Sequence, residues 1–245
     1  MSKQAPEPIR VFVGDLHCGS PRGLTRKPDN EGQDWLLKTW ADFQAHVLHL
    51  AKGREFVLML GGDLVDQPGK PNRDTALDVL MPLAKKASAI YGVPGTEYHV
   101  GPDGEEDREI YADLGAALGN VRQYHALSIS GRILWWAHHL NRIGGAPWTE
   151  FDGLYRSAKT HNELARLQGM AVPALGIGHH THRAPGLATY RETRAAVCPA
   201  WQLGTAFGAK IRPGSIPTIG GVIWFPEQDR VEIKTYAIPQ EHHSA

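Results

Sequence analysis

Cysteine is nearly absent: the 245 residues contain only Cys18 and Cys198. Two thiols cannot build a disulfide framework, which excludes the small stapled scaffolds and favours a reducing compartment. Neither sign of charge is in excess, with 26 Lys and Arg against 26 Asp and Glu. The overall basicity of a protein that coats nucleic acid is therefore missing, although a local basic loop remains compatible with such a partner. No apolar run approaches the ~18 residues of a membrane span, and the segment Met1 to Pro8 has no apolar signal core. A soluble, cytoplasmic protein with no membrane partner is the expectation. Internal repeats, low-complexity tracts and linkers are also missing. A hydrophobic fraction of 42% suffices for one α/β domain over residues 1–245.

What is present is an alternation of short apolar runs and amphipathic stretches. Ile9 to Val13, Glu55 to Leu60 and Ala89 to Val93 read as buried strands that end at Gly or Pro. Between them, Leu36, Trp40, Phe43, Val47 and Leu50 mark one helical face. A second helix is expected over Asp74 to Ser88, capped by Asp74. A third is expected over Glu105 to Leu118, opening on acidic residues that suit its dipole. Val121 to Ile129 and Arg132 to Ala137 read as strands, Phe151 to Gln168 as a helix and Ala174 to Ile177 as a strand. Beyond Pro185 the chain is β-like, with runs at 186–190, 218–225 and 231–238. Strand–helix alternation followed by a strand-rich end fits an α/β fold of two packed mixed β-sheets flanked by helices, an αββα sandwich.

Five short segments at the ends of these runs carry the chemistry. They are Asp15-Leu16-His17, Gly62-Asp63-Leu64-Val65-Asp66, Gly95-Thr96-Glu97-Tyr98-His99, His138-His139 and His180-Thr181-His182. Carboxylates and imidazoles delivered from several strand ends build sites for two divalent cations. In an extended segment, residues two apart project to one side, so Asp15 with His17, and His180 with His182, would each approach one point. Most of the thirteen histidines, including His46, His49, His125, His161, His242 and His243, read as ordinary surface or core residues. Cys18 reads as a small residue in a tight turn, and Asp66 as a turn or helix cap.

The order of these segments resembles the calcineurin-like metallophosphoesterase superfamily, whose pattern is D-x-H, G-D-x-x-D, G-N-H-D/E, H and G-H-x-H. The resemblance implies the metallophosphoesterase-like sandwich and a particular ligand set. Asp15, His17 and His182 would hold one metal, His138 (over His139 by a small margin) and His180 the other, and Asp63 would bridge. Arg183 would contact substrate. The third segment departs from the pattern, since Thr96 stands at the Asn position and Glu97 at the His position. In the preferred repair Glu97 supplies the missing oxygen ligand and His99 is the acid for the leaving group. In the other, His99 binds metal and no general acid is evident.

The resemblance implies a metal-dependent phosphoesterase in which a hydroxide bridging two ions attacks phosphorus. The mixed N/O donor set suits Mn, Fe or Zn. The substrate expected is a phosphorylated small molecule or a nucleic acid, with a diester (nucleotide or nucleic acid) slightly preferred. Arg22, Arg26, Lys27, Lys70, Arg73, Lys210 and Arg212 would gather near a polyanion, and the loop 18–33 is the candidate lid. The rival reading is a catalytically weak or inactive binding module on the same fold. A two-metal amidohydrolase is disfavoured, because such barrels place H-x-H on their first strand. No protein partner is indicated.

Overall fold

The apolar runs pair into two five-stranded sheets in this computed structural model, which describes residues 6–139, 150–211 and 216–243. The first sheet has the order β10-β9-β1-β2-β3, built from β1 (Ile9–Val13), β2 (Phe56–Leu60), β3 (Ala89–Gly92), β9 (Ile219–Phe225) and β10 (Arg230–Tyr236). The strands β1, β2 and β3 are parallel, and β9 and β10 close the sheet antiparallel. The second sheet has the order β4-β5-β6-β8-β7, from β4 (Tyr124–Ile129), β5 (Arg132–Ala137), β6 (Pro173–Gly178), β7 (Leu187–Tyr190) and β8 (Thr193–Val197). Here β5, β6 and β8 are parallel while β4 and β7 run antiparallel at the two edges.

Strand alternation sorts the apolar residues into layers. Phe12, Val57, Met59 and Trp224 of the first sheet meet Leu134, Trp136, Leu175, Ile177 and Ala196 of the second in one buried cluster. The intervening Ile9, Val11, Val13, Leu58 and Leu60 face outward onto α1 (Glu31–Leu50), α2 (Lys70–Ala84) and α4 (Glu105–Asp113), against Trp40, Phe43, Leu80 and Ile110. On the other flank, Leu154 and Ala158 of α5 (Glu150–Leu167) cover Ala188, Ala195 and Val197. The result is the expected order of helix, sheet, sheet, helix.

Several boundaries differ from the sequence reading for local reasons. The helix α2 starts at Lys70 rather than Asp74, because Pro71 is accommodated in the first turn, where its missing N–H is no loss. The helix α4 stops at Asp113 rather than Leu118, and Gly115 follows at φ 91°. The strand β8 was not anticipated: Thr193–Val197 is Ala-rich and weak in strand propensity, and its place between β6 and β7 supplies what propensity does not. Two short helices, α3 (Glu97–Val100) and α6 (Ala206–Ile211), were also missed.

The loop after β1 is packed down rather than free to act as a lid. Leu24 is fully buried, Leu24 N–H donates to Leu16 O, and the Gln33 amide donates to Ser20 O. Three of the surrounding cations are committed as well. Arg22 donates to the carbonyls of Gly204 and His242, Arg26 to Asp78 O, and Arg73 pairs with Glu106 and Glu109. Arg212 lies outside the described residues. Among the described residues no helix is long and apolar enough to cross a membrane.

Candidate metal centre

The loops that leave β1 and β2 run side by side beyond their strands. Asp15 N–H donates to Gly62 O, His17 N–H to Asp63 O and Cys18 N–H to Leu64 O. The ligand-type residues along them are not extended. Asp15, His17, Asp63, His180 and His182 have φ of 50°, 47°, 49°, 71° and 56°, five of the nine left-handed non-glycine residues among those described. Such a conformation costs roughly 1–3 kcal/mol per residue and concentrates where function demands it. The side chains converge through these turns, not through the strand alternation expected for the i, i+2 pairs.

Four overlapping groups of donors result, with ligand atoms within 4.8 Å of one another in each. Asp15, His17 and His182 form one, and Asp15, Asp63 and His138 a second. His17, Asp63 and His99 form a third, and His138, His139 and His180 a fourth. Asp15 and Asp63 are both fully buried and join the two sides of the cluster. His138 is buried while His139 is exposed. The Nδ1–H of His138 donates to Gly61 O at 2.5 Å, which turns Nε2 toward Asp63 Oδ2 at 3.1 Å. A backbone carbonyl on one ring nitrogen is the usual way to orient the other for a metal. His180 is half exposed, with Nδ1 3.8 Å from Asp63 Oδ2. Arg183 follows His182 in the loop after β6 and is partly buried.

The third segment is the informative one. Thr96 donates both its N–H (2.7 Å) and its hydroxyl (2.9 Å) to Asp63 Oδ1. Glu97 begins α3, is exposed, and belongs to none of the four donor groups. The geometry therefore does not bring Glu97 to the cluster as the preferred repair required. It brings His99 instead: two residues further along α3 the side chain is rotated by about 200°, onto the side that faces the site. His99 Nδ1–H donates to Asp66 O at 2.9 Å, and its ring meets that of His17 edge-on at 4.5 Å.

A further set of residues positions the cluster. The buried Asp107 carboxylate accepts from the backbone N–H groups of Asp63, Leu64 and Gly95, at 3.1, 3.2 and 2.9 Å. It ties the β2 loop to the β3 loop. Burial, together with the nearby Asp63 charge, pushes its carboxyl up to about 7. The fully enclosed His179 accepts from the Trp136 indole N–H at 3.1 Å, so its Nδ1 carries the proton and faces Asp15 Oδ2 at 3.6 Å. Asp66 Oδ1 lies 3.4 Å from His17 Nδ1. The sequence reading missed Asp107, whose only signal is an acidic residue in the first turn of a helix.

The buried carboxylates and imidazoles shift one another's protonation. Burial would raise Asp63 and Asp15, but the neighbouring His138 and His180, and His179 and His182, hold both carboxyls well below the usual range. Burial opposes charge on His138, yet Asp63 and Asp15 push it up to about 9. On the exposed side, burial of part of the ring and the charge of His138 push His139 down to about 4.

The residues fit a pair of divalent cations. Carboxylates and imidazoles are the donors that Mn, Fe and Zn accept. The Nε2 atoms of His17 and His182 stand 3.1 Å apart, close enough for both to face one ion. The buried Nδ1 of His17 faces Asp66 Oδ1 at 3.4 Å, so Nε2 is the nitrogen turned toward His182.

No family model matches the sequence. No curated protein matches it significantly. Solved structures match it in overall architecture. Vps29 from Chaetomium thermophilum is 10% identical with a TM-score of 0.49, covering 96% of this chain and 97% of that one. A metallophosphoesterase from Sphaerobacter thermophilus is 12% identical with a TM-score of 0.41, covering 94% and 89%. A dimetal phosphatase from Danio rerio is 11% identical with a TM-score of 0.45, covering 90% and 93%. In fold the chain is similar to metallophosphoesterases and to Vps29.

Proposed function

We propose that this chain is a phosphoesterase dependent on two divalent metal ions, with Asp15, His17, Asp63, His138, His180 and His182 as ligands. The observation that carries the reading is the convergence of these six residues, from four separate loops, onto one cluster with Asp15, Asp63 and His138 buried at its centre and His180 at its exposed rim. When bound, such a pair supplies water of lowered pKa and neutralises charge on phosphate oxygens. The chain's own residues do the rest. Thr96 and Asp107 hold Asp63 and the turn beneath it, and His179 and Asp66 orient Asp15 and His17. His99, with Nδ1–H committed to Asp66 O, has Nε2 left to deliver a proton to the departing oxygen once the ring is protonated. Arg183 is placed in sequence to meet phosphate oxygens. A phosphodiester is the preferred substrate class and Mn the preferred metal.

A second reading is a metal-loaded binding module with weak turnover. It is favoured by Thr96, whose hydroxyl occupies Asp63 where the superfamily pattern has Asn. Elemental analysis together with turnover of bis(4-nitrophenyl) phosphate separates the two. The enzyme reading expects about two transition-metal ions per chain, turnover abolished by chelator and restored by Mn²⁺. Bound metal with turnover no higher than that of Asp63→Asn supports the binding module. No bound metal at all overturns both.

A further inference from the structure

Beside the metal-ligand cluster lies a cavity of about 390 Å³, and His138 and His139 form part of its lining. That volume is within the range of sites for small organic molecules, about 300–1,000 Å³. The same cavity is walled by Tyr124 and Trp135, whose rings are nearly parallel (13°) with centroids 6.0 Å apart. Alternation along β4 and β5 places this pair on the face opposite His125 and Trp136, which stack in the interior. Tyr124 is 59% exposed although it is a large aromatic residue, so burial does not account for its position. His161 of α5 completes the wall, 4.6 Å from Trp135. Its Nδ1–H donates to Ser157 O at 2.8 Å, which leaves Nε2 of the neutral ring as an acceptor. The exposed amide of Gln123 at the rim offers both a donor and an acceptor.

Two flat rings, an acceptor and an amide surround a space that opens on the metal ligands. A plain hydrocarbon would use the rings and waste the polar groups. A phosphate alone would use neither. A planar heteroaromatic group with hydrogen-bonding edges uses both, as bases do on aromatic platforms. We infer that this cavity is a nucleobase subsite and that the ester group carried by the substrate phosphate is a nucleoside. The inference rests on the phosphoesterase reading, because the phosphate is taken to sit at the metal cluster next door.

The test uses the Mn²⁺-loaded full chain and three esters with one leaving group: thymidine 5′-(4-nitrophenyl phosphate), methyl 4-nitrophenyl phosphate and phenyl 4-nitrophenyl phosphate. The chemical step is shared, so the ratios of kcat/KM report the retained group. The nucleoside ester is expected to exceed the methyl ester at least tenfold. Trp135→Ala is expected to cut that ratio roughly tenfold, the loss typical of one stacked base, and Trp135→Phe to restore most of it. Equal kcat/KM for nucleoside and methyl esters in the wild type overturns the inference. So does a ratio unmoved by Trp135→Ala, which would mean that the ring serves packing alone. A phenyl ester as good as the nucleoside ester also overturns it, since the cavity would then be a general aryl site. If no ester turns over, the phosphoesterase reading fails separately. Titration of the Mn²⁺-loaded chain with thymidine 5′-monophosphate then decides. Binding weakened about tenfold in Trp135→Ala upholds the subsite, and no binding overturns it.

Discussion

Asp63 is held by more of its surroundings than its neighbours are: left-handed at φ 49°, buried, bonded twice by Thr96 through Oδ1 and facing His138 through Oδ2. A carboxylate so constrained suits the bridging position of a two-metal site, and Asp63→Asn is expected to lower turnover by several orders of magnitude. Asp66, partly exposed and 3.4 Å from His17 Nδ1, orients a ligand from outside, so Asp66→Asn should be much milder. Steady-state kinetics of the two variants at saturating Mn²⁺ makes the comparison, and equal damage would move the bridge elsewhere. The third segment yields a second prediction. His99→Ala should reduce turnover of an alkyl phosphodiester by roughly 10²–10⁴-fold and spare a nitrophenyl ester, whose leaving group needs no proton. Glu97→Ala should leave metal content and both rates unaltered, because Glu97 is exposed and outside the donor groups. Loss of a metal ion from Glu97→Ala by elemental analysis would restore the ligand role that the sequence pattern suggested for it.

At the scale of elements, the site exists because strand-end loops approach one another closely. A Cβ on Gly61 would lie 2.0 Å from His179 Cε1, and one on Gly95 would lie 2.1 Å from Asp63 Oδ1. Only glycine allows both the backbone and the ligands to stay where they are. Asp107 is the fastener between the β2 and β3 loops. Asp107→Ala strands three N–H donors, two of them buried, and a buried one costs about 1–3 kcal/mol when unsatisfied. Some of that is recovered by water entering the space, so a net loss of about 3–5 kcal/mol is expected in urea unfolding, with weakened metal binding beside it. A loss below 1 kcal/mol would show that the loops hold their shape without it.

For the whole molecule, the interface between the two sheets positions everything else, since the first, second and third segments leave one sheet and the last two leave the other. Trp136 stands in that interface, edge-on to Phe12 at 5.8 Å, and its indole N–H reaches His179. Trp136→Ala should cost about 3–5 kcal/mol of stability and also lower metal affinity, whereas Trp136→Phe should keep most of the packing and lose chiefly the bond to His179. Thermal unfolding with and without Mn²⁺ tests this. Metal that binds the folded chain at one hundred times its Kd adds about 2.7 kcal/mol, so chelator should lower the Tm of the wild type and shift that of a stable Asp63→Asn far less.

The amino-acid sequence by itself determined the layers and the donor-bearing segments. Period-two and period-3.6 apolar patterns are local properties, and they marked both sheets, α1 and α5. Carboxylates and imidazoles beside Gly at strand ends marked the loops that would converge. Tertiary structure decided whatever depends on contacts between distant segments. The sequence could not separate Glu97 from His99, because the orientation of α3 decides which of two nearly opposite faces lies over His17. Nor could it find Asp107, an ordinary acidic residue until the β2 and β3 loops present it with three N–H groups. The sequence favours His138 over His139 only by a small margin, and the carbonyl of Gly61, from the other sheet, holds His138 inward. The strand β8 has little propensity of its own and exists because β6 and β7 pair with it on both sides. The aromatic wall joins Trp135 of a hairpin to His161 of a helix, more than twenty residues further on, a proximity that no local pattern encodes.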